Sequence, residues 1–171
     1  MTDTPNISSA LERNRRAFVR SPAVAKDSTH TSTTSASGFL SVSREGSSEL
    51  TCDMPQIMGG TGMAPTPGVL GRACLASCIV MGVRIAAETR GVSVGEITVD
   101  LSMDWDNRGI FGMGGVSAGP GNIQLRITLD SSASENVLQD VVAEGLKNDP
   151  WLIALQDPHS VQTELQVNRG E

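Results

Sequence analysis

The sequence predicts an α+β fold in which antiparallel sheets pack around two long helices. Three observations carry this prediction: a long apolar stretch with helix signals at both ends, strand-like alternation that comes in adjacent segments, and the grouping of strands and helices along the chain. Strands that follow one another directly pair in antiparallel fashion, so this order is typical of α+β proteins. With 171 residues, one domain with a proper core is expected.

The N-terminal segment, residues 1–29, is predicted to be an amphipathic helix and a linker. Residues 7–20 (ISSALERNRRAFVR) have apolar positions roughly on one side, and Ser8 or Ser9 is a candidate cap. Pro22 then opens a stretch rich in Ser and Thr. The helix is either a solvated helix at the edge of the domain, which we favour, or a docking arm for a partner subunit or an anionic ligand.

Residues 30–171 are predicted to form the folded domain, which begins with a small antiparallel meander. A polar strand is expected near residues 31–35 and a short strand at 39–42. After a turn at Glu45-Gly46, residues 49–54 alternate between apolar and polar side chains and predict a third strand. Residues 55–67 (PQIMGGTGMAPTP) contain too much Gly and Pro for a regular element and predict a loop.

The central helix is predicted to run from Thr66 to Gly91. Thr66 is a suitable N-cap, Pro67 suits the first helical position, and Gly91 suits the left-handed residue that ends a helix. Apolar residues cover most of its circumference, which is typical of a buried helix. The strands of one chain offer too little surface to cover such a helix, so we expect an intertwined homodimer.

The remainder of the chain predicts two strands, a helix and a last strand. Strands are expected at 96–104 and 122–130, and a helix at 132–148 with Ser132 and Glu135 as a capping box. A short apolar turn of helix or a packed loop is expected at 151–155, and the final strand at 160–168.

The glycine-rich stretch 105–122 between the two strands has two interpretations. Glycines allow backbone N–H groups to approach an anion, as in phosphate-binding loops. However, a strand follows this stretch instead of a helix, and it has no GK[ST] motif. We therefore favour a flexible hairpin connection.

Composition excludes several classes of function. The net charge of −6 disfavours nucleic acid and anionic membranes as main partners. The uncharged part of the central helix is too short for a membrane span, and the N-terminus has no apolar core for a signal peptide, so we expect a cytoplasmic protein. Three cysteines and two histidines without CxxC or HxxxH spacing predict no disulfide framework, no metal site and no cofactor.

Any chemistry of the chain is expected at the cysteines of the central helix. Cys74 and Cys78 are four residues apart and share one helix face, but their Cβ vectors run nearly parallel, so a disulfide between them would be strained. A thiol reacts as its thiolate, and apolar burial favours the neutral form. From residue chemistry alone we therefore favour inert core cysteines over reactive ones, for Cys52 most of all.

An activating cation for Cys78 is not found in its own helix. Arg72 and Arg84 lie six positions away on either side, about 120° around the helix, and are poor direct partners. The cation would have to come from elsewhere, and the candidates are Arg44, Arg126 or a residue of a partner subunit.

The central stretch TPGVLGRACLASCIVMGVRIAAETRGVSVGEITVDL, residues 66–101, resembles the OsmC/Ohr family of thiol-dependent hydroperoxide reductases. The shared features are a Gly-rich loop (GGTGMAPTP), small residues that end in Cys78, and a basic-Gly turn into an alternating strand. The resemblance covers about residues 30–167. It implies an α+β fold, an intertwined homodimer with active sites at the dimer interface, and Cys78 as the peroxidatic cysteine.

The chain departs from the family pattern at three places. Asp149, just before Pro150, occupies the position of the family's resolving cysteine, and Gly68 occupies the position of an acidic residue in the organic-hydroperoxide branch. The stretch 34–38, which aligns best with the family's activating arginine, contains none.

Two main hypotheses follow. In the first, Cys78 reduces a small hydroperoxide in a one-cysteine cycle, and a small thiol, or Cys74 or Cys52, reduces the resulting sulfenic acid. In the second, the protein keeps the fold without catalysis and binds a small apolar or acidic ligand at the dimer interface. A third, weaker hypothesis is a partner-binding protein that uses the basic N-terminal helix.

Overall fold

The computed structural model describes residues 6–167 and contains mixed helix and small antiparallel sheets, as predicted. The helices and strands, in chain order, are α1 Ile7–Arg20, β1 Ser32–Thr34, β2 Ser41–Glu45, β3 Ser48–Cys52, α2 Pro67–Arg90, β4 Ile97–Asp104, β5 Gly121–Leu129, α3 Glu135–Lys147 and α4 Pro150–Gln156. Short 3₁₀ turns lie at Pro22–Ala25 and Gln56–Met58.

Helix α1 has the predicted bounds but a different cap. Asn6 is the N-cap, and its side chain accepts a hydrogen bond from the backbone N–H of Ser9 at 2.9 Å. The expectation that Ser8 or Ser9 caps the helix is therefore wrong. The Ser8 hydroxyl instead donates to Glu88, which fastens α1 to α2. No residue of α1 is buried, so the helix lies at the edge of the molecule.

Strands β1, β2 and β3 form the predicted antiparallel meander. Thr33 pairs with Ser43, and Ser43 pairs in turn with Leu50 on the next strand. The turn between β2 and β3 has Gly46 in the left-handed region, with φ of 56°. Most residues of this sheet are exposed, and within the described residues it has no extensive packing against a helix.

Helix α2 confirms the predicted ends but not the predicted burial. The Thr66 side chain accepts from the N–H of Val69, Pro67 is the first helical residue, and Gly91 ends the helix with φ of 66°. Only one face is buried in the single chain, and it comprises Leu75, Ile79, Val83, Ala86 and Ala87. Apolar residues on other faces, such as Met81 at 56% exposure, are not covered by this chain.

The second sheet consists of β4 and β5, a long antiparallel pair. Inward residues alternate with exposed ones along β4 and along β5 from Leu125 onward, as predicted, whereas the start of β5 is exposed, with Ile123 at 40%. The inward residues pack against the buried face of α2, so the core lies between this sheet and the helices.

Helix α3 packs closely against α2 and begins later than predicted. Its N-cap is Ser134 without a side-chain hydrogen bond, so the expected capping box of Ser132 and Glu135 is wrong. The segment before α3 is held by Ser131 instead, because the Ser131 hydroxyl donates to the carbonyl of Ser93 at 2.6 Å. The apolar segment after α3 is helical and forms α4, capped by Asp149.

The predicted final strand is wrong for the residues that the structure describes. Residues 160–167 have no strand pairing in the single chain, and Asn168 lies outside the described residues. The apolar positions of the expected alternation are strongly exposed, with Val161 at 84% and Leu165 at 85%. A strand needs a neighbour for its backbone groups, and within one chain this segment has none.

Among the described residues, α2 is long and apolar enough to cross a membrane by length and composition alone. A core helix of a protein without membrane spans can satisfy the same criterion. Here α2 packs against α3, α4 and β4 through its buried face.

Candidate active site

The three thiols occupy different environments. All three cysteines are free; Cys74 is exposed, whereas Cys78 and Cys52 are half-buried. Cys52 ends β3, in the sheet that lacks extensive contact with the helices. Cys74 and Cys78 lie one turn apart on α2, so the structure brings these two predicted thiols together and leaves Cys52 elsewhere.

The surroundings of Cys78 are set by a close crossing of α2 and α3 at two glycines. A Cβ atom at Gly145 would lie 2.8 Å from the backbone nitrogen of Val83, and one at Gly82 would lie 3.1 Å from the carbonyl oxygen of Gly145. The distance at Gly145 is too short for any side chain, and the one at Gly82 would require its neighbour to shift by a few tenths of an ångström. Glycine at these two positions therefore lets the backbones touch.

The helices run antiparallel across this contact. Arg90, near the end of α2, donates to Glu144 at 2.6 Å and lies 3.7 Å from Asp140, so higher numbers on α2 meet lower numbers on α3. In the opposite direction from the glycine contact, Cys78 lies four residues before Gly82 on α2, and Asp149 lies four residues after Gly145. The antiparallel crossing therefore carries the end of α3 toward the part of α2 that contains Cys78, and Asp149 caps the next helix, α4, which also packs against α2.

Asp149 is a buried carboxylate with one oxygen in use. Its side chain is at the N-cap of α4, where Oδ1 accepts from the backbone N–H of Leu152 at 2.7 Å. The residue is only 1% exposed, and Oδ2 has no hydrogen-bond partner among the described residues. A buried carboxylate oxygen without a partner is costly, and in native structures it calls for an explanation.

The electrostatic environment of Cys78 favours the neutral thiol. Burial is the main cause that raises its pKa, and the negative charge of Asp149 and the neighbouring Cys74 raise it further. This effect of Asp149 is consistent with the helix crossing that brings it near the thiol. No cation is among the groups that shift the pKa of Cys78.

The structure places the two candidate arginines away from this thiol within one chain. Arg44 lies on the exposed part of β2 and pairs with Glu49 at 2.9 Å. Arg126 is exposed on β5, between the inward residues Leu125 and Ile127, and thus on the face turned away from the core. A role for either arginine at Cys78 stays a prediction, and it would require a second copy of the chain.

The arginines of α2 itself are engaged elsewhere. The guanidinium of Arg84 donates to the carbonyls of Val94 and Gly95 and so anchors the turn after α2. Arg72 reaches back toward the start of the helix, because a Cβ at Gly68 would lie 3.5 Å from its Nη1. An acidic residue at position 68 would meet this guanidinium, but glycine provides no such group.

The loop before α2 is held by a second buried carboxylate, Asp53. It accepts from the N–H groups of Met54 at 2.8 Å, Thr61 at 3.0 Å and Met63 at 3.3 Å, and from the Thr61 hydroxyl. The hydrogen bond from the Thr61 side chain is the main cause that lowers the pKa of Asp53. Both oxygens are satisfied, so this carboxylate is a structural anchor.

Sequence reasoning placed Cys78 on α2 but did not foresee the surroundings of Asp149. It treated Asp149 only as the residue that stands in place of a resolving cysteine, and it did not expect a buried carboxylate with a free oxygen. The pattern Asp-Pro before an apolar run is an N-cap signal that could have located the side chain. Within residues 6–167, no group of three or more His, Cys, Asp or Glu side chains is arranged to hold a metal ion.

Comparisons with known proteins agree with this architecture. The family model described as OsmC-like protein matches residues 60–164. No curated protein matches the sequence. Among solved structures, the chain is similar to an OsmC-like protein from Mycoplasma pneumoniae, with a TM-score of 0.66 and 14% identity over 77% of this chain and 89% of the other.

Two further solved structures are organic hydroperoxide resistance proteins. The one from Elizabethkingia anophelis has a TM-score of 0.57 and 14% identity over 77% of this chain and 89% of its own. OhrB of Bacillus subtilis has a TM-score of 0.51 and 15% identity over 76% and 91% of the two chains. The family model covers more than half of the chain, from the loop before α2 to residue 164. The protein therefore belongs to the family of OsmC-like proteins.

Proposed function

We propose that this OsmC-like protein reduces small organic hydroperoxides with Cys78 as the attacking thiol. The observation that carries the proposal is a free, half-buried thiol in the middle of α2, one turn from the helix crossing and within reach of the charge of the buried Asp149. Similarity in fold to organic hydroperoxide resistance proteins supports the substrate class.

The reaction requires a thiol reductant that the chain does not supply at the usual place. Asp149 stands where the family's resolving cysteine is expected, so the sulfenic acid formed at Cys78 would be reduced by a small external thiol or by Cys74, one turn away on α2. Cys52 is a weaker candidate, because it lies on the first sheet.

We further propose that the active form is a homodimer. The uncovered apolar residues of α2 and the unpaired, exposed segment 160–167 are surfaces that a second copy would cover. A dimer would also give the thiol a source of positive charge, with Arg44 and Arg126 of the second copy as the candidates. Such a cation would offset the raised pKa of Cys78.

The proposal is tested by measuring consumption of cumene hydroperoxide with dithiothreitol as the reductant. Wild type and the Cys52→Ser/Cys74→Ser variant are expected to consume the peroxide, and Cys78→Ser is expected to lose the activity. Activity that survives in Cys78→Ser would contradict the assignment.

The second candidate is a non-catalytic protein that binds a small ligand at the same place. The raised pKa of Cys78 and the absence of an acidic side chain at Gly68 favour it, because both lower the reactivity of the thiol. This candidate predicts a wild-type chain that consumes no hydroperoxide. Its unpaired Asp149 oxygen would then serve a ligand with a hydrogen-bond donor.

A further inference from the structure

We propose that Oδ2 of Asp149 accepts the O–H of the hydroperoxide and thereby aims its terminal oxygen at the sulfur of Cys78. This inference rests on the proposed function and adds to it a substrate-orienting residue.

The geometry that supports it is the helix crossing. The antiparallel crossing at the glycine contact leads the chain after α3 toward the part of α2 that contains Cys78, and α4, which Asp149 caps, packs against α2. The Asp149 side chain is 1% exposed. The hydrogen bond from Leu152 to Oδ1 holds the carboxyl group in one orientation. Oδ2 is therefore a buried acceptor without a partner among the described residues, on a carboxylate whose charge acts on the Cys78 thiol.

The chemistry of a hydroperoxide matches such an acceptor. Its terminal oxygen, the one that a thiolate attacks, carries a hydrogen that needs an acceptor when the peroxide leaves water. A hydrogen bond to a carboxylate is about twice as strong as one between neutral groups. Binding of the peroxide also gives the buried Oδ2 the donor that it lacks, which removes the cost of leaving it unpaired.

The same acceptor serves before and after the reaction. The Cys78 thiolate attacks the terminal oxygen, the S–O bond forms as the O–O bond breaks, and the sulfur is oxidised by two electrons. The peroxide is reduced to an alkoxide, which takes up the proton that the thiol released to solvent and leaves as the alcohol. The hydrogen on the transferred oxygen stays there, so the sulfenic acid still donates to Asp149.

The charge of Asp149 has an opposing effect that makes the inference testable. Because the carboxylate raises the pKa of Cys78, it lowers the fraction of thiolate at neutral pH. Removing the charge should therefore speed every reaction that needs only the thiolate. Removing the charge should slow a reaction only if the carboxylate accepts a hydrogen bond from the substrate.

The test compares two reagents in the Cys52→Ser/Cys74→Ser background, so that all signal comes from Cys78. The alkylation rate with iodoacetamide, followed over pH, reports the fraction of Cys78 that is thiolate. The rate of oxidation by cumene hydroperoxide is then measured at the same pH values. Dividing the oxidation rate by the thiolate fraction gives the rate constant of the thiolate with the peroxide. Asp149→Asn keeps the cap oxygen and turns a donor toward the site. Asp149→Ser is a second variant that also keeps a capping oxygen.

The matched control is Asp157→Asn, which removes the same charge at the exposed far end of α4. We expect Asp149→Asn and Asp149→Ser to be alkylated faster than the parent. Their rate constant for the thiolate with the hydroperoxide should fall by about tenfold or more, as expected for a lost hydrogen bond to a charged group. Asp157→Asn should change neither rate.

Two results would overturn the inference, and they can be told apart. If the Asp149 variants react faster with both reagents and their rate constant for the thiolate is unchanged, Asp149 only repels the thiolate, whereas the proposed function stands. If the parent itself is not oxidised, the proposed function fails and the inference fails with it.

Discussion

Asp53 and Asp149 are two buried carboxylates, each 1% exposed, that serve the molecule differently. Asp53 uses both oxygens to bind the loop before α2, where it accepts from three backbone N–H groups and one hydroxyl. Asp149 uses only Oδ1, and its other oxygen has no partner among the described residues. The difference shows that burial alone does not identify a functional carboxylate, and the unused oxygen of Asp149 is what supports the role proposed for it.

The largest effect, on the free energy of unfolding, is expected at the glycine contact between α2 and α3. Gly145→Ala would push its Cβ against the backbone of Val83, so we expect a loss of about 1–3 kcal/mol in the free energy of unfolding, measured with urea. The control is Gly71→Ala on α2, where no atom lies within 4 Å of the added Cβ. That variant should be as stable as wild type or more stable by up to about 1 kcal/mol. Equal losses in both variants would contradict the close crossing.

The next largest effect is expected in thermal stability when each of the two carboxylates is replaced by an amide. Asp53→Asn would turn an amide toward the N–H groups of Thr61 or Met63 and leave donors facing one another, so its thermal midpoint should fall clearly. Asp149→Asn keeps the cap on Leu152, because Asn caps helices as well as Asp does, and we expect a loss below about 1 kcal/mol. If Asp149→Asn is destabilised more than Asp53→Asn, then Asp149 is the structural residue of the two.

A smaller effect is expected in the pH dependence of stability. The pKa of Asp53 is lowered in the folded state, so its contribution is complete above the usual carboxyl range and is lost as pH falls through the lowered pKa. Urea midpoints taken between pH 6 and pH 3 should therefore fall in wild type and fall less in Asp53→Asn. Parallel curves for the two proteins would argue against this anchor.

The smallest effect is expected in the titration of Cys78. Within one chain its pKa is raised by burial and by Asp149, so the charge of Asp149 should hold the rise of alkylation at higher pH than in a variant without that charge. Asp149→Asn should move this rise to lower pH, whereas Asp53→Asn should leave it in place. A profile that does not move in Asp149→Asn would mean that the carboxylate does not face the thiol.

Much of the fold could be predicted from the sequence because its signals are local. Thr66, Pro67 and Gly91 define the ends of α2 through cap chemistry, and the alternation in β4 and β5 predicts their inward faces. The caps of α1 and α3 were missed because several neighbouring residues had capping side chains, and periodicity does not choose between them.

What could not be predicted depends on contacts that are distant in sequence. Apolar and polar residues alternate at 160–168 as they do in a strand. A strand also needs a pairing partner, and one chain does not provide it for residues 160–167. The role of Asp149 depends on the crossing of α2 and α3 at Gly82 and Gly145, which no local pattern reveals. The same reasoning placed Cys78 on α2 but gave no view of the carboxylate beside it.

The most direct test of the account is to find which cysteine a hydroperoxide oxidises. The intact chain is treated with an equimolar amount of cumene hydroperoxide, sulfenic acid is trapped with dimedone, and the labelled peptide is identified by mass spectrometry. Exposure alone favours Cys74, which is exposed whereas Cys78 is half-buried. The account predicts the label on Cys78, in wild type and in Cys52→Ser/Cys74→Ser. A label on Cys74 alone, or on no cysteine, would contradict it.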